Sequence, residues 1–215
     1  MKALLYKQFR LVCHPMTLIF CLFGIMVLIP NYPYTVIFFY VMLGLFFTFL
    51  NIREQKDIYY SALLPVPKRD TVKAGCAFVV IIEVLSLVVL IPCSLLAVHL
   101  QPGKDNLVGL DPNLALLAAG FLLYAVFNGV FLPSFYANGY KVGIAFINAV
   151  IPTTLAMGAL EALPHFPALT WLDDMDAATQ QVRLLPALIA SVLLYAGGMA
   201  LTFRASARRY EKVDL

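Results

Sequence analysis

Charge is scarce in this chain. Of its 215 residues 13% are Asp, Glu, Lys or Arg and 62% are hydrophobic, whereas a soluble domain carries about 25% and about 45–50% respectively. Mean hydropathy is +0.87. Such a composition excludes a water-soluble globular enzyme and points to a membrane protein. The net charge is only +3, and the cations form no stripe interleaved with exposed aromatics, which excludes a nucleic-acid reader. Length sets a second bound. At about 20 residues per spanning helix the chain holds about six spans, with nothing left over for a soluble catalytic domain.

Catalytic signatures are missing as well. There is no G-x-x-x-x-G-K-[ST] phosphate loop, no H-E-x-x-H and no G-x-S-x-G, and His14, His99 and His165 lie in three different segments. The chain therefore does not hydrolyse ATP by itself, and uphill transport would draw on a partner or an ion gradient. Cys13, Cys21, Cys76 and Cys93 fall in or beside apolar runs. They read as small packing residues, with no disulfide framework and no C-x-x-C metal site.

What is present is a series of apolar runs broken by Pro, Gly and charge. They predict an all-α integral membrane protein whose six transmembrane helices, over 16–29, 34–51, 72–99, 114–136, 142–162 and 184–203, make up a single transmembrane domain. Six spans put both termini on one side. On that side fall Lys2, Lys7, Arg10, Arg53, Lys56, Lys68, Arg69, Lys73, Lys141, Arg204, Arg208, Arg209 and Lys212, and only Lys104 and Arg183 fall on the other. Because Lys and Arg accumulate in short cytoplasmic loops, the expectation is a multi-pass protein of the cytoplasmic (inner) membrane with both termini in the cytoplasm. A cleaved secretory signal is not expected, since no A-x-A-type site follows the first run.

Residues 1–15 are amphipathic. At helical spacing Leu5, Phe9, Val12 and Met16 share one face while Lys7, Arg10 and His14 share the other. That pattern predicts a helix lying in the membrane interface, with a bend at Pro15 into the bilayer. The loop at 53–71 is more specific. A short amphipathic helix with Ile58, Tyr59, Ala62 and Leu63 on one face ends at Pro65-Val66-Pro67, and a basic turn then launches a new helix capped by Asp70 or Thr71. An apolar face on a segment outside the hydrocarbon needs a protein partner or the membrane surface.

The order of charge, aromatic pair, Leu63-Leu64-Pro65-Val66, Lys68-Arg69 and Val72 between the second and third of six spans resembles the coupling-helix region of ABC-2 type permeases, in particular the small six-span permease subunits of bacterial ABC exporters. The likeness extends to the whole layout: an interfacial N-terminal helix, six spans, a coupling helix between spans two and three, and an outer re-entrant or capping segment at 163–182 between spans five and six. It implies a pore of two permease subunits, identical or related, with two ABC ATPase subunits docked beneath. ATP and Mg would be bound by those ATPases, and this chain would bind no cofactor or metal. Tyr59, Tyr60, Leu63 and Leu64 would make the ATPase contact, with Lys68 and Arg69 completing the coupling region. A motor can drive a pore only through a stiff projection joined directly to spanning helices, and a short helix tied to two spans meets that demand.

Glu83 is the one ionisable residue deep in a span, about 5 Å along the axis from the middle of 72–99. A bare carboxylate there costs several kcal/mol, which leaves three readings: a proton or substrate site, a helix-to-helix hydrogen bond, or a shallower position. Asn128 and Asn148, with Thr153 and Thr154, read as interhelical polar contacts and, together with Glu83, as candidate pore-facing polar groups. Pro92, Pro133 and Pro152 mark expected kinks. The second span is rich in aromatics, Phe38, Phe39 and Phe46 among them. Interface anchoring and lipid packing account for such a run, while the resemblance suggests a pore lining suited to an apolar or amphipathic cargo such as a lipid or a membrane-active peptide. The outer segment, with Trp171 and three aspartates, is too polar to span and too apolar to float free.

Three functions follow. The first is the membrane subunit of an ATP-driven exporter, including peptide export. The second is a transporter in which Glu83 carries a proton, and the third is a non-transporting membrane immunity protein. The two sets of three spans show no repeat, which counts against transporter folds built on inverted repeats.

Overall fold

Inside hydrocarbon every backbone N–H and C=O must be satisfied within the chain, and among the described residues all regular structure is helical. The computed structural model describes residues 2–63, 65–100, 106–138, 141–167, 169 and 178–213, the side chains of 58, 59, 62 and 178–181 excepted. The α-helices are α1 (Lys2–Lys7), α2 (Pro15–Cys21), α3 (Val36–Glu54), α4 (Asp57–Leu63), α5 (Lys68–Leu100), α6 (Leu114–Asn138), α7 (Val142–Ala162) and α8 (Ala178–Glu211). A π-helical turn, Gln8–Val12, follows α1, and a 3-10 stretch, Leu22–Leu28, continues α2. Among the described residues five helices are long and apolar enough to cross a membrane, and the bent pair Lys2–Val12 and Pro15–Leu28 makes a sixth if counted as one span.

The bent pair breaks just before Pro15, where a bend is expected. Its two arms meet at 95°, and the arm from Pro15 to Leu28 extends only about 24 Å even with its 3-10 half stretched to about 2.0 Å per residue. A bend of this size frees backbone groups, and α3 supplies their partners. Asn51 Nδ2 donates to the Val12 carbonyl at 2.9 Å, and the His14 N–H donates to Thr48 Oγ1 at 3.1 Å. One turn on, Thr17 Oγ1 donates to the Gly44 carbonyl at 2.6 Å and lies 2.7 Å from Thr48 Oγ1. Gly44, Thr48 and Asn51 stand at i, i+4 and i+7 and so share one face of α3. A Cβ on Gly44 would sit 2.9 Å from the Thr17 Cα, so glycine is what lets the two helices close. His14 caps α2 by accepting from the Met16 N–H, with Pro15 at the first helical position. The buried side of the N-terminal segment is Leu4, Gln8 and Val12. Phe9 packs edge-on against Phe78 of α5, with centroids 4.9 Å apart, so this segment leans on protein as well as on any membrane surface.

Helices α5 and α8 have 33 and 34 residues, about 50 Å each against about 30 Å of hydrocarbon. Their surplus length falls at charged ends, Lys68 to Lys73 and Arg204 to Glu211, and these ends meet. Lys68 Nζ donates to the Val213 carbonyl at 2.7 Å, and the Arg69 guanidinium lies 5.6 Å from the centre of the Phe203 ring. The core between α3, α6 and α7 is built from rings. Phe49 meets Phe131 and Phe135 edge-on at 5.0 and 4.6 Å, Phe127 stacks on Phe131 at 4.9 Å, and Phe46 lies 4.5 Å from Phe146. Helices α5, α6 and α7 run through Pro92, Pro133 and Pro152 as continuous helices.

Candidate functional site

Three sites carry polar chemistry, one at each end of the bundle and one in its middle. At the first end α4 is set off from α3 by Lys56, whose φ of 53° ends the helix in the left-handed region. It is then held in place from outside its own hairpin. Lys7 Nζ lies 2.8 and 2.9 Å from the two Asp57 carboxylate oxygens and donates to Ser61 Oγ at 2.7 Å. The pair is shielded, with the two side chains 17% and 14% exposed, so salt screens it less than it would a surface pair. On the free side of the helix Tyr60 is 68% and Leu63 82% exposed. An isolated seven-residue helix is unstable in water, and the Lys7 ties and packing against α3 support this one. The Tyr59 side chain and Leu64 lie outside the described residues. Lys68 and Arg69 begin α5, and both are engaged with the end of α8 through Val213, Tyr210 and Phe203.

In the middle of the bundle Glu83 of α5 is fully buried. Asn128 Nδ2 of α6 donates to both carboxylate oxygens at 2.9 Å, and the Tyr195 hydroxyl of α8 donates to Oε2 at 2.6 Å. Next to it, Ser86 Oγ donates to the Glu83 carbonyl and lies 2.7 Å from the Tyr124 hydroxyl. One carboxyl group thus ties three long helices together where each unsatisfied polar group would cost several kcal/mol. Asn128 Oδ1 is buried and finds no partner among the described residues; turning the amide over would present this acceptor to a neutral carboxyl in place of the N–H. Asn148 is elsewhere, on the exposed face of α7 with Ile144, Ile147, Ile151 and Leu155. Thr153 Oγ1 bonds to its own helix at the Ala149 carbonyl, 2.7 Å away, and Thr154 is exposed. Of the three aromatic candidates, Phe38 is packed inside the chain edge-on to Tyr124, and Phe39 and Phe46 are half-buried against the core.

At the other end a second carboxylate joins loops. Glu161, at the end of α7, accepts the Thr35 N–H on Oε1 and the Leu110 N–H on Oε2, both at 2.9 Å. It therefore bridges the turn before α3 and the connection before α6. A Cβ on Gly109 would collide with the Glu161 carboxyl group. Asn106 Nδ2 donates to the Tyr32 and Leu110 carbonyls, and the Asn106 N–H donates to Asp111 Oδ1 at 2.7 Å. Asn113 Oδ1 accepts from Ala115 and Leu116 and so caps α6. Residues 168 and 170–177 of the outer segment, with Trp171 and the aspartates at 173, 174 and 176, lie outside the described residues.

Sequence reasoning missed Tyr195, Glu161 as a bridge, and the Lys7–Asp57–Ser61 tie. Only Tyr195 carried a signal, as the sole tyrosine in the last apolar run. No curated protein and no solved structure matches the chain. The model of one family, described as ABC-2 family transporter protein, matches residues 3–204. With nearly the whole chain matched and five or six apolar helices suited to crossing a bilayer, this is a multi-pass membrane protein that belongs to the ABC-2 transporter family.

Proposed function

We propose that the chain is the permease subunit of an ATP-driven exporter, and that α4 is the surface through which a separate ATPase subunit moves it. The observation that carries this reading is the exposed pair Tyr60 and Leu63 on a helix that packs against α3 and is tied by Lys7. A large apolar side chain left 82% exposed on a short amphipathic helix calls for a partner. The ties on its other side ensure that a push on α4 reaches α1, α3 and α5 as displacement and is not absorbed. ATP and Mg belong to the partner. The exposed α7 face bearing Asn148 among isoleucines suits a second permease subunit, since an amide facing another helix contributes about 0.6–2 kcal/mol in a membrane. The cation distribution supports a cytoplasmic position for the α4 end, and the ring-rich core suits an apolar or amphipathic cargo such as a peptide or lipid.

Glu83 acts here as a joint between helices. Its oxygens are committed to Asn128 and Tyr195, which favours this role over a proton relay. The test is reconstitution with an ABC ATPase subunit that co-purifies with the chain. Leu63→Asp should lower transport-coupled ATP hydrolysis at least on the order of tenfold, about 1.4 kcal/mol in barrier terms, with the melting temperature unchanged. Glu83→Gln, which keeps an acceptor and a donor, should leave ATP-driven transport largely intact. A full loss on Glu83→Gln with coupling indifferent to Leu63→Asp would favour the proton-coupled reading.

A further inference from the structure

Where α5 begins and α8 ends, a recess of about 300 Å³ is lined by Arg69, Arg204, Ala207, Arg208 and Glu211. Three guanidiniums face one carboxylate across it. Among the described residues no carboxylate lies within ion-pair distance of Arg69, Arg204 or Arg208. Arg204 and Arg208 stand one turn apart on the same face, where like charges repel, and Arg69 faces them from the neighbouring helix. At the end of α8 a cation at least complements the helix dipole. Arg69 does not, because it occupies the first turn of α5, where the dipole and the free N–H groups favour an anion. Its guanidinium is nevertheless held in place against Phe203, beside a Lys68 already committed to the Val213 carbonyl. Among the described residues the recess is therefore net positive, three guanidiniums against the Glu211 carboxylate, with Asp70 in the same first turn of α5.

The surface leading into the recess identifies the kind of anion. Continued back along α8 at helical spacing, Arg208 and Arg204 are followed by Ala200, Gly197, Leu193 and Ile189, every one of them exposed. On α5 the face of Arg69 and Lys73 passes through the half-buried Ala77 and Val80 before reaching Val84, Val88 and Leu95, which are exposed. An exposed apolar face thus ends in paired arginines at the depth where hydrocarbon gives way to headgroups. Planar guanidiniums bind phosphate oxygens in bidentate fashion, and basic recesses between spanning helices on the cytoplasmic side suit anionic headgroups. We infer that this recess binds the headgroup of an acidic phospholipid, its acyl chains lying along α5 and α8. The assignment to the cytoplasmic leaflet rests on the orientation given above; the binding itself does not depend on it.

The test is native mass spectrometry of the purified full chain released from detergent after equilibration with equal amounts of phosphatidylglycerol and phosphatidylcholine. Wild type should retain phosphatidylglycerol on the order of tenfold over phosphatidylcholine. The triple variant Arg69→Gln, Arg204→Gln, Arg208→Gln should fall to within about twofold, and each single Gln variant should lose about a third to a half of the preference on a logarithmic scale. All three side chains are exposed, so these variants should fold; the triple Lys variant, which keeps the charge, should keep part of the preference. Lys141→Gln, a cation outside the recess, should keep all of it. Equal retention of both lipids by wild type, or an undiminished preference in the triple Gln variant, overturns the inference. Displacement of the lipid by millimolar inorganic phosphate, or by a polyglutamate peptide, overturns it too, by assigning the recess to a free anion or to a protein partner.

Discussion

The two ends of this bundle are joined by opposite means. At the α4 end the ties are made by long cationic side chains, Lys7 to Asp57 and Ser61 and Lys68 to the Val213 carbonyl, and large apolar groups stay exposed beside them. At the Glu161 end a carboxylate and a set of amides hold backbone N–H and C=O groups of two loops directly. Side-chain ties between helices permit one body to shift against another, whereas backbone groups pinned to one carboxylate lose their partners all at once when it moves. The first end has the character of a lever, the second that of a clasp. Glu83 lies between them and couples α5, α6 and α8.

The clasp is expected to break hardest. Glu161→Leu leaves the Thr35 and Leu110 N–H groups unpaired and should cost about 2–4 kcal/mol, read as a lower melting temperature in detergent. Glu161→Gln keeps one acceptor and should cost about half as much. The lever is softer. Lys7→Met removes a partly shielded ion pair and a hydrogen bond, and about 1–2 kcal/mol of stability should go with it. Because α4 loses its anchor in that variant, coupled ATP hydrolysis should fall further than stability does. Smallest of all in stability terms is Leu63→Asp, at most about 0.5 kcal/mol since the side chain touches little, even though its effect on coupling should be among the largest. If Glu161→Leu melted like wild type while Lys7→Met unfolded the chain, the contrast between the two ends would be reversed.

Much of this was readable in the residues. Hydropathy marks α3, α5, α6, α7 and α8 because nothing but helix satisfies a backbone in lipid. The loop carrying α4 is marked by its proline pair and its charges. The bend beside Pro15 and the short run after it were readable, but the packing of that run was not, because it depends on Thr17 meeting Gly44 and Thr48 on another helix. Glu83 and Asn128 were both singled out, but their pairing across 45 positions, and the third partner Tyr195 across 112, depends on how helices cross. Lys7 read as a headgroup-facing cation for the same reason: Asp57 is fifty residues away in the chain.

The claim that α4 meets the motor is best tested by proximity. Cysteines would be placed singly at Leu63 and, at the opposite end, at Leu107, which is 78% exposed, in a chain whose Cys13, Cys21, Cys76 and Cys93 are replaced by alanine. With a short bifunctional thiol reagent in membranes containing the ATPase, Leu63→Cys should cross-link to the ATPase subunit and Leu107→Cys should not. Cross-linking from Leu107→Cys, or its absence from Leu63→Cys in an assembled complex that still hydrolyses ATP, would contradict the account.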